Sequence, residues 1–240
     1  MTTHRLASDT AMVMAAGLGK RMRPLTATQP KPLVRVAGKP LIDHCLDRLH
    51  DAGIRRAVVN VHYLADVLEA HLRTRAAPAI TISDERACLL ETGGGMVHAQ
   101  PHLPDPFFCV NSDNLWLDGP RSALEELSAR WDPAAMDALL LLVNHGLAGQ
   151  YRGAGDFAMD GAGRLSRRRP GRVAPFIYTG IQLVSHRLLR EPPGAVFSTN
   201  MLWDRALSEG RLFGLAFTGL WSEVGTPQAV ASAETMLVHG

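Results

Sequence analysis

The sequence predicts an α/β protein with a mostly parallel sheet, helices on both of its faces and a small antiparallel subdomain. Three observations carry this. The first half alternates short apolar runs with amphipathic stretches, the order expected of βαβ units. Pro40 and Gly53 stand where a first helical turn and a helix stop are expected. Beyond about residue 145 the pattern changes to Gly-rich turns between short segments, which build antiparallel hairpins over a pocket.

In order, residues 10–16 read as a buried strand and 40–52 as a helix with Leu41, Cys45 and Leu49 on one face. Residues 57–61 form a strand, 64–72 a helix, 79–82 a strand, 96–100 a short helix and 107–110 a further strand. In the second half, 176–184 is a strand, 200–208 a helix, 211–217 a strand and 227–237 a last helix. No internal repeat or long linker divides the chain, so residues 1–240 are expected to form a single domain.

Composition sets the outer bounds. With 240 residues, 46% hydrophobic and 20% charged, the chain can bury a full core, and disorder is excluded as its main theme. The apolar run at residues 138–143 is far short of the roughly 18 residues a spanning helix needs. Residues 1–10 carry Thr, His, Arg, Ser and Asp, and the apolar stretch after them runs into a Gly/Lys/Arg loop instead of a cleavage site. A cytoplasmic protein without a membrane partner is expected. Cys45, Cys88 and Cys109 lack C-x-x-C spacing, so they are expected to be buried small hydrophobes. A net charge of +2 is too mild for a nucleic-acid partner. Its distribution is more informative: between Asp9 and Asp43 there is no acid, yet Lys20, Arg21, Arg23, Lys31, Arg35 and Lys39 all fall there. A local field of one sign recruits an anion.

The sharpest motif is AAGLGKRMRPLT at residues 15–26, directly after the first strand. Gly17 and Gly19 free the backbone to present N–H groups to phosphate oxygens, and Arg21 offers a bidentate fork. Met22 stands where a dinucleotide fingerprint has its third glycine, and Gly19-Lys20 is followed by Arg21 where a Walker A loop has Ser or Thr. On these residues alone an ordinary basic turn stays open. Pro24, Pro30 and Pro32 predict an extended loop, with Lys31 clamped between prolines and aimed at a reacting phosphoryl group or, more blandly, at solvent. His98 and His102 flank Pro101 and make no metal pair, and no Gly-x-Ser-x-Gly elbow occurs.

The order A-A-G-x-G-x-R-x-x-P-L-T, then P-K-P-L at residues 30–33 and G-K-P at 38–40, resembles the sugar-1-phosphate nucleotidyltransferases. The resemblance continues through Asn111-Ser112-Asp113 and the WSEVGTP segment at 221–227. Leu90 to Gly95, the short length and Gly155-Asp156-Phe157 are most similar to the branch that uridylylates N-acetylmuramate 1-phosphate in peptidoglycan recycling. The resemblance implies a Rossmann-like sheet with the nucleotide over the carboxyl ends of its strands. Residues 1–145 would bind the nucleotide, and 146–240 would bind the sugar and complete the fold.

By motif, Ala15, Ala16, Gly17 and Gly19 would border the nucleotide. Arg21 and Lys31 would bind the triphosphate, and Thr92, Gly93 and Gly94 would approach the base. Without the family, these glycines would simply loosen a turn. Asp113 would hold Mg²⁺, with Glu223 as second acid where the family usually has Asp, a methylene longer. Asn111, Gly155, Asp156, Thr179, Gly180 and Asn200 would contact the sugar, Asn200 equally suiting a helix N-cap. Arg168-Arg169-Pro170 stands where many relatives have Glu-Lys-Pro, which makes Arg169 the substitute for a sugar-phosphate lysine. The implied partners are a nucleoside triphosphate and a sugar 1-phosphate. UTP is expected, against GTP with mannose or heptose 1-phosphate, and a non-catalytic nucleotide sensor of the same fold is the remaining class. No hexapeptide-repeat tail is present, so a fused acetyltransferase is not expected.

Overall fold

A computed structural model describes residues 6–149 and 151–239. The expectation for residues 1–5 therefore lies outside the described residues. In chain order the elements are β1 (Thr10–Met14), β2 (Arg35–Val36), β3 (Lys39–Pro40), α1 (Leu41–Asp51), β4 (Arg56–Val61), α2 (Ala65–Leu72) and β5 (Ala79–Asp84). There follow α3 (Glu91–Ala99), β6 (Phe107–Asn111), β7 (Asn114–Leu117), α4 (Ala123–Arg130), β8 (Ala138–Asn144), β9 (Phe157–Met159) and β10 (Leu165–Arg167). The chain ends with β11 (Phe176–Val184), α5 (Thr199–Ser208), β12 (Leu212–Ala216), β13 (Leu220–Glu223) and α6 (Pro227–His239).

The main sheet has nine strands. β1 lies parallel between β4 and β6, and β4 is parallel to β5. The sheet is mostly parallel, as expected, with β11 running antiparallel to both β6 and β8 before β12 restores a parallel pair with β8. The pair β9 and β10 adds an antiparallel hairpin beside the start of β11. Alternation explains the layers: Ala11, Val13, Phe108, Val110, Leu139 and Leu141 face one core with α1, α2 and α4. Met12, Phe107, Cys109, Leu140 and Leu142 face the other, with α3 and α5. Both faces are apolar, as helices on both sides require, and each fully buried Leu or Phe contributes about 1.5–3 kcal/mol.

A third cluster positions the site. Met22, Val34, Val36, Leu41, Leu115, Val224 and Ala233 pack together, so the C-terminal α6 clamps the loop that follows β1. That loop is not simply extended: Lys20–Met22 and Lys31–Leu33 form 3-10 turns. Proline is tolerated in a first helical turn, and Pro32 sits there, with Leu33 N–H donating to Pro30 O at 2.9 Å.

Further departures have physical reasons. The short helix expected at 96–100 starts at Glu91 and contains all three glycines. The run 138–143 lies in β8, buried on both faces between β11 and β12. α4, β7 and β13 are also formed. Cys88 is exposed, in contrast to buried Cys45 and Cys109, because it lies in the turn after β5. Among the described residues no helix is long and apolar enough to cross a membrane.

Candidate active site

Three parallel strands, β1, β4 and β6, end side by side, and the residues that leave the sheet there line a cleft of about 500 Å³. Ala15, Ala16, Gly17, Gly19, Arg21, Lys31, Thr92, Asn111 and Asp113 all reach it. The loop after β1 is shaped for an anion. Gly19 takes a left-handed backbone (φ 59°), and Thr26 Oγ1 donates to its carbonyl at 2.8 Å. Among the described residues the N–H groups of Gly17, Leu18 and Gly19 have no protein acceptor, so they form a run of donors beside the cleft.

A buried relay fixes this loop from below. Asn60 Oδ1 accepts from Ala15 N–H at 2.6 Å, and Asn60 Nδ2 donates to Glu85 Oε1 at 2.7 Å. Glu85 Oε2 in turn accepts from Leu90 N–H at 3.2 Å, ahead of α3. A Cβ on Gly95 would stand 2.8 Å from Glu85 Oε1, so only glycine admits the carboxylate there. Asn60→Leu orphans a buried N–H and one oxygen of a buried carboxylate, an expected cost of about 2–4 kcal/mol. Thermal melting should register this as a fall of roughly 5–12 °C, with a raised nucleotide KM.

Two cation–carboxylate pairs stand along the cleft. The Lys31 ammonium donates to Asp113 Oδ2, while Asn114 Nδ2 donates to Oδ1 at 3.2 Å. The Lys31 side chain is only 13% exposed, which makes its pair the stiffer one. Arg21 reaches Glu223 Oε1 at 3.2 Å but is 71% exposed. β13 pairs with β7 so that Glu223 lies opposite Asn114, and Val224 N–H donates to Asp113 O at 2.9 Å. Asp113 faces the cleft, whereas Glu223 lies on the far side of Arg21, lining a neighbouring cavity.

A second cavity of about 300 Å³ adjoins the first and shares Met14, Thr92, Asn111 and Ser198 with it. Of the residues expected to contact sugar, Asn111, Asp156 and Asn200 line it. Thr179 does not: it is fully buried and its hydroxyl donates to Leu141 O at 2.9 Å. Gly180 is the left-handed residue (φ 83°) of an irregularity in β11, where a Cβ would stand 2.1 Å from Asn114 Nδ2. Gly155 likewise permits a turn, its Cβ position lying 2.4 Å from Ala174 O. Ser198, not Asn200, caps α5.

Gly93 and Gly94 are also off the cleft wall. They are buried, and both N–H groups donate to Phe197 O, at 2.9 and 3.1 Å. Arg168 and Arg169 are exposed in a turn and line neither cavity. Arg167, which sequence reasoning passed over, lines the second cavity instead, beside Phe157, Tyr178, Gln182 and Trp203. No local signal singled it out: Arg167 and Arg169 share a parity, and it is the fold that puts Arg167 within a strand and Arg169 beyond it. Burial of the Cys109 thiol on this wall pushes its pKa up to about 12, so it stays protonated. Burial also raises the Tyr178 hydroxyl well above its ordinary range.

The sequence matches the nucleotidyl transferase family over residues 10–151. The chain belongs to the nucleotidyl transferase family. It is 45% identical over 234 residues to an N-acetylmuramate alpha-1-phosphate uridylyltransferase of Caulobacter vibrioides, covering 95% of this chain and 97% of that one. A protein of the same description from Neisseria meningitidis serogroup B is 34% identical over 94% of this chain and 97% of its own. The mannose-1-phosphate guanylyltransferase catalytic subunit beta of Danio rerio is 28% identical over 91% of this chain but 61% of its own. The crystal structure of HddC from Yersinia pseudotuberculosis complexed with GMP-PN shares the fold, with TM-score 0.76, 19% identity and coverage of 95% and 99%.

Does this nucleotidyl transferase site suit the divalent cation its family implies? Among the described residues no cluster of three or more His, Cys, Asp or Glu could enclose a metal. A cation such as Mg²⁺ asks for less, one or two carboxylates completed by substrate phosphates and water. Asp113 supplies a hard oxygen on the cleft wall, and Glu223, paired with Arg21, stands in the adjoining cavity. The donor chemistry fits.

Proposed function

We propose that the chain transfers UMP from UTP to N-acetylmuramate 1-phosphate, releasing pyrophosphate and serving peptidoglycan recycling. The 45% identity along 95% of the chain to the Caulobacter vibrioides uridylyltransferase carries this reading. A cytoplasmic location goes with it, because UTP is held there.

The attacking group belongs to the substrate, so no side chain need be a nucleophile. A phosphate oxygen of the sugar 1-phosphate forms a bond to the α-phosphorus of UTP. The opposite bond to the bridging oxygen breaks, and its electron pair leaves with pyrophosphate. Such transfers depend on alignment and charge neutralisation. Lys31 would stand beside the developing charge, Arg21 would steady the leaving phosphates at the rim, and the N–H groups of Gly17 to Gly19 would donate to phosphate oxygens. Ala15, Ala16 and Thr92 would border the nucleoside. Asp113, with Glu223 as second acid, would hold Mg²⁺, which when bound neutralises phosphate oxygens.

Pyrophosphate release across four nucleoside triphosphates and several sugar 1-phosphates tests the reading. UTP with N-acetylmuramate 1-phosphate should give the highest kcat/KM by at least tenfold. A preference for GTP with mannose or heptose 1-phosphate would overturn it. Nucleotide binding without pyrophosphate release from any pair would identify a sensor instead.

A further inference from the structure

The two reacting phosphates have to meet where the two cavities share a wall, because Lys31 and Asp113 line only the nucleotide side. Arg167 lines only the other cavity, with Phe157 and Trp203. A sugar with its phosphate at that wall would present a part remote from the phosphate to the Arg167 guanidinium. Arg167 is the only cationic side chain lining that cavity among the described residues.

The guanidinium is held in place. Nε donates to Asp204 Oδ1 at 2.8 Å, Nη2 forms an ion pair with the same oxygen at 2.8 Å, and Nη2 also donates to Asn200 O at 3.2 Å. Its carbon lies 5.0 Å from the centre of the Phe157 ring and 5.8 Å from that of Trp203. Among the described residues Nη1 has no protein acceptor. Asp204 and Asn200 thus orient the guanidinium and leave the two N–H groups of Nη1 to donate to a ligand carboxylate. The one acid lining the cavity, Asp156, has Oδ2 engaged by Tyr178 N–H at 2.8 Å. Its charge is thereby directed toward the backbone of β11.

We propose that Arg167 reads a carboxylate on the sugar, which makes this pocket select acidic hexosamine 1-phosphates over neutral ones. The inference rests on the uridylyltransferase reading of the site, in which the group bound is the lactyl carboxylate of N-acetylmuramate.

The test compares N-acetylmuramate 1-phosphate with the analogue whose lactyl carboxylate is a carboxamide. The wild-type protein should favour the acid in kcat/KM by roughly ten- to hundredfold, the range for a charged hydrogen bond. In Arg167→Gln the KM for the acid should rise until the two substrates differ less than about threefold. Arg167→Lys, which keeps the charge and loses the fork, should restore part of the preference. Discrimination unchanged in Arg167→Gln would overturn the inference and leave the uridylyltransferase reading standing. A wild-type protein that uses a different carboxylated sugar 1-phosphate would do the reverse. Turnover of neutral sugars alone would overturn both.

Discussion

Replacing Lys31 by alanine is expected to lower kcat about 10²–10³-fold, the loss typical of one pre-oriented donor to developing charge. The KM for the sugar 1-phosphate should stay within about threefold, because the second cavity, the one proposed for the sugar, does not include Lys31. The size of the effect follows from how the ammonium is held. Pro30 and Pro32 flank the residue, and a Cβ on Gly19 would be 3.0 Å from Lys31 Cβ, so the turn and the glycine loop are in close approach. Little side-chain freedom remains to be lost on binding phosphate. The same deletion leaves Asp113 partly buried without its cation, at a cost of roughly 1–3 kcal/mol. Steady-state kinetics and a melting curve on the same sample separate the two effects. An unchanged kcat in a folded variant would remove Lys31 from the chemistry.

Local chemistry made the cleft's front wall legible in the sequence. Gly17, Gly19, Arg21, Lys31 and the prolines between them state their backbone demands within a few residues, and Asp113 follows a recognisable apolar strand. The sheet was readable for the same reason as far as β6, since each βα unit is self-contained. β11 was readable as a strand of an antiparallel region but not as the partner of β6 and β8, because that pairing joins long stretches of chain. Asn60 and Glu85 were invisible: an amide and an acid near the ends of apolar strands acquire meaning only when folding buries them together. Arg167 was hidden likewise, since its partners Asp204 and Asn200 arrive from α5.

The glycines of α3 show the same limit and give the second large expected effect. Read locally, Gly93 to Gly95 loosen a turn, and alanine there should stabilise a helix by about 1 kcal/mol per site. The packing reverses the sign at Gly94. A Cβ there would sit 2.2 Å from Ala195 O, a backbone atom that cannot rotate away, and relief requires moving the segment that carries Phe197. That segment is tied to α3 by Phe197 N–H donating to Leu90 O at 3.2 Å and Thr199 N–H donating to Thr92 Oγ1 at 2.9 Å. Gly94→Ala is therefore expected to destabilise the protein by about 2–4 kcal/mol, combining overpacking with lost hydrogen bonds. Because Ser198, Thr199 and Asn200 line the second cavity, sugar KM should rise as well, by roughly tenfold for one to two kcal/mol of lost contact. Gly17→Ala is the control: nothing lies within 4 Å of its Cβ position, so stability should change by less than about 0.5 kcal/mol. Urea unfolding of the two variants side by side decides the point. If Gly94→Ala matched or exceeded the parent in midpoint, intrinsic helix propensity would govern this turn, and the close docking of residues 195–199 on α3 would be wrong.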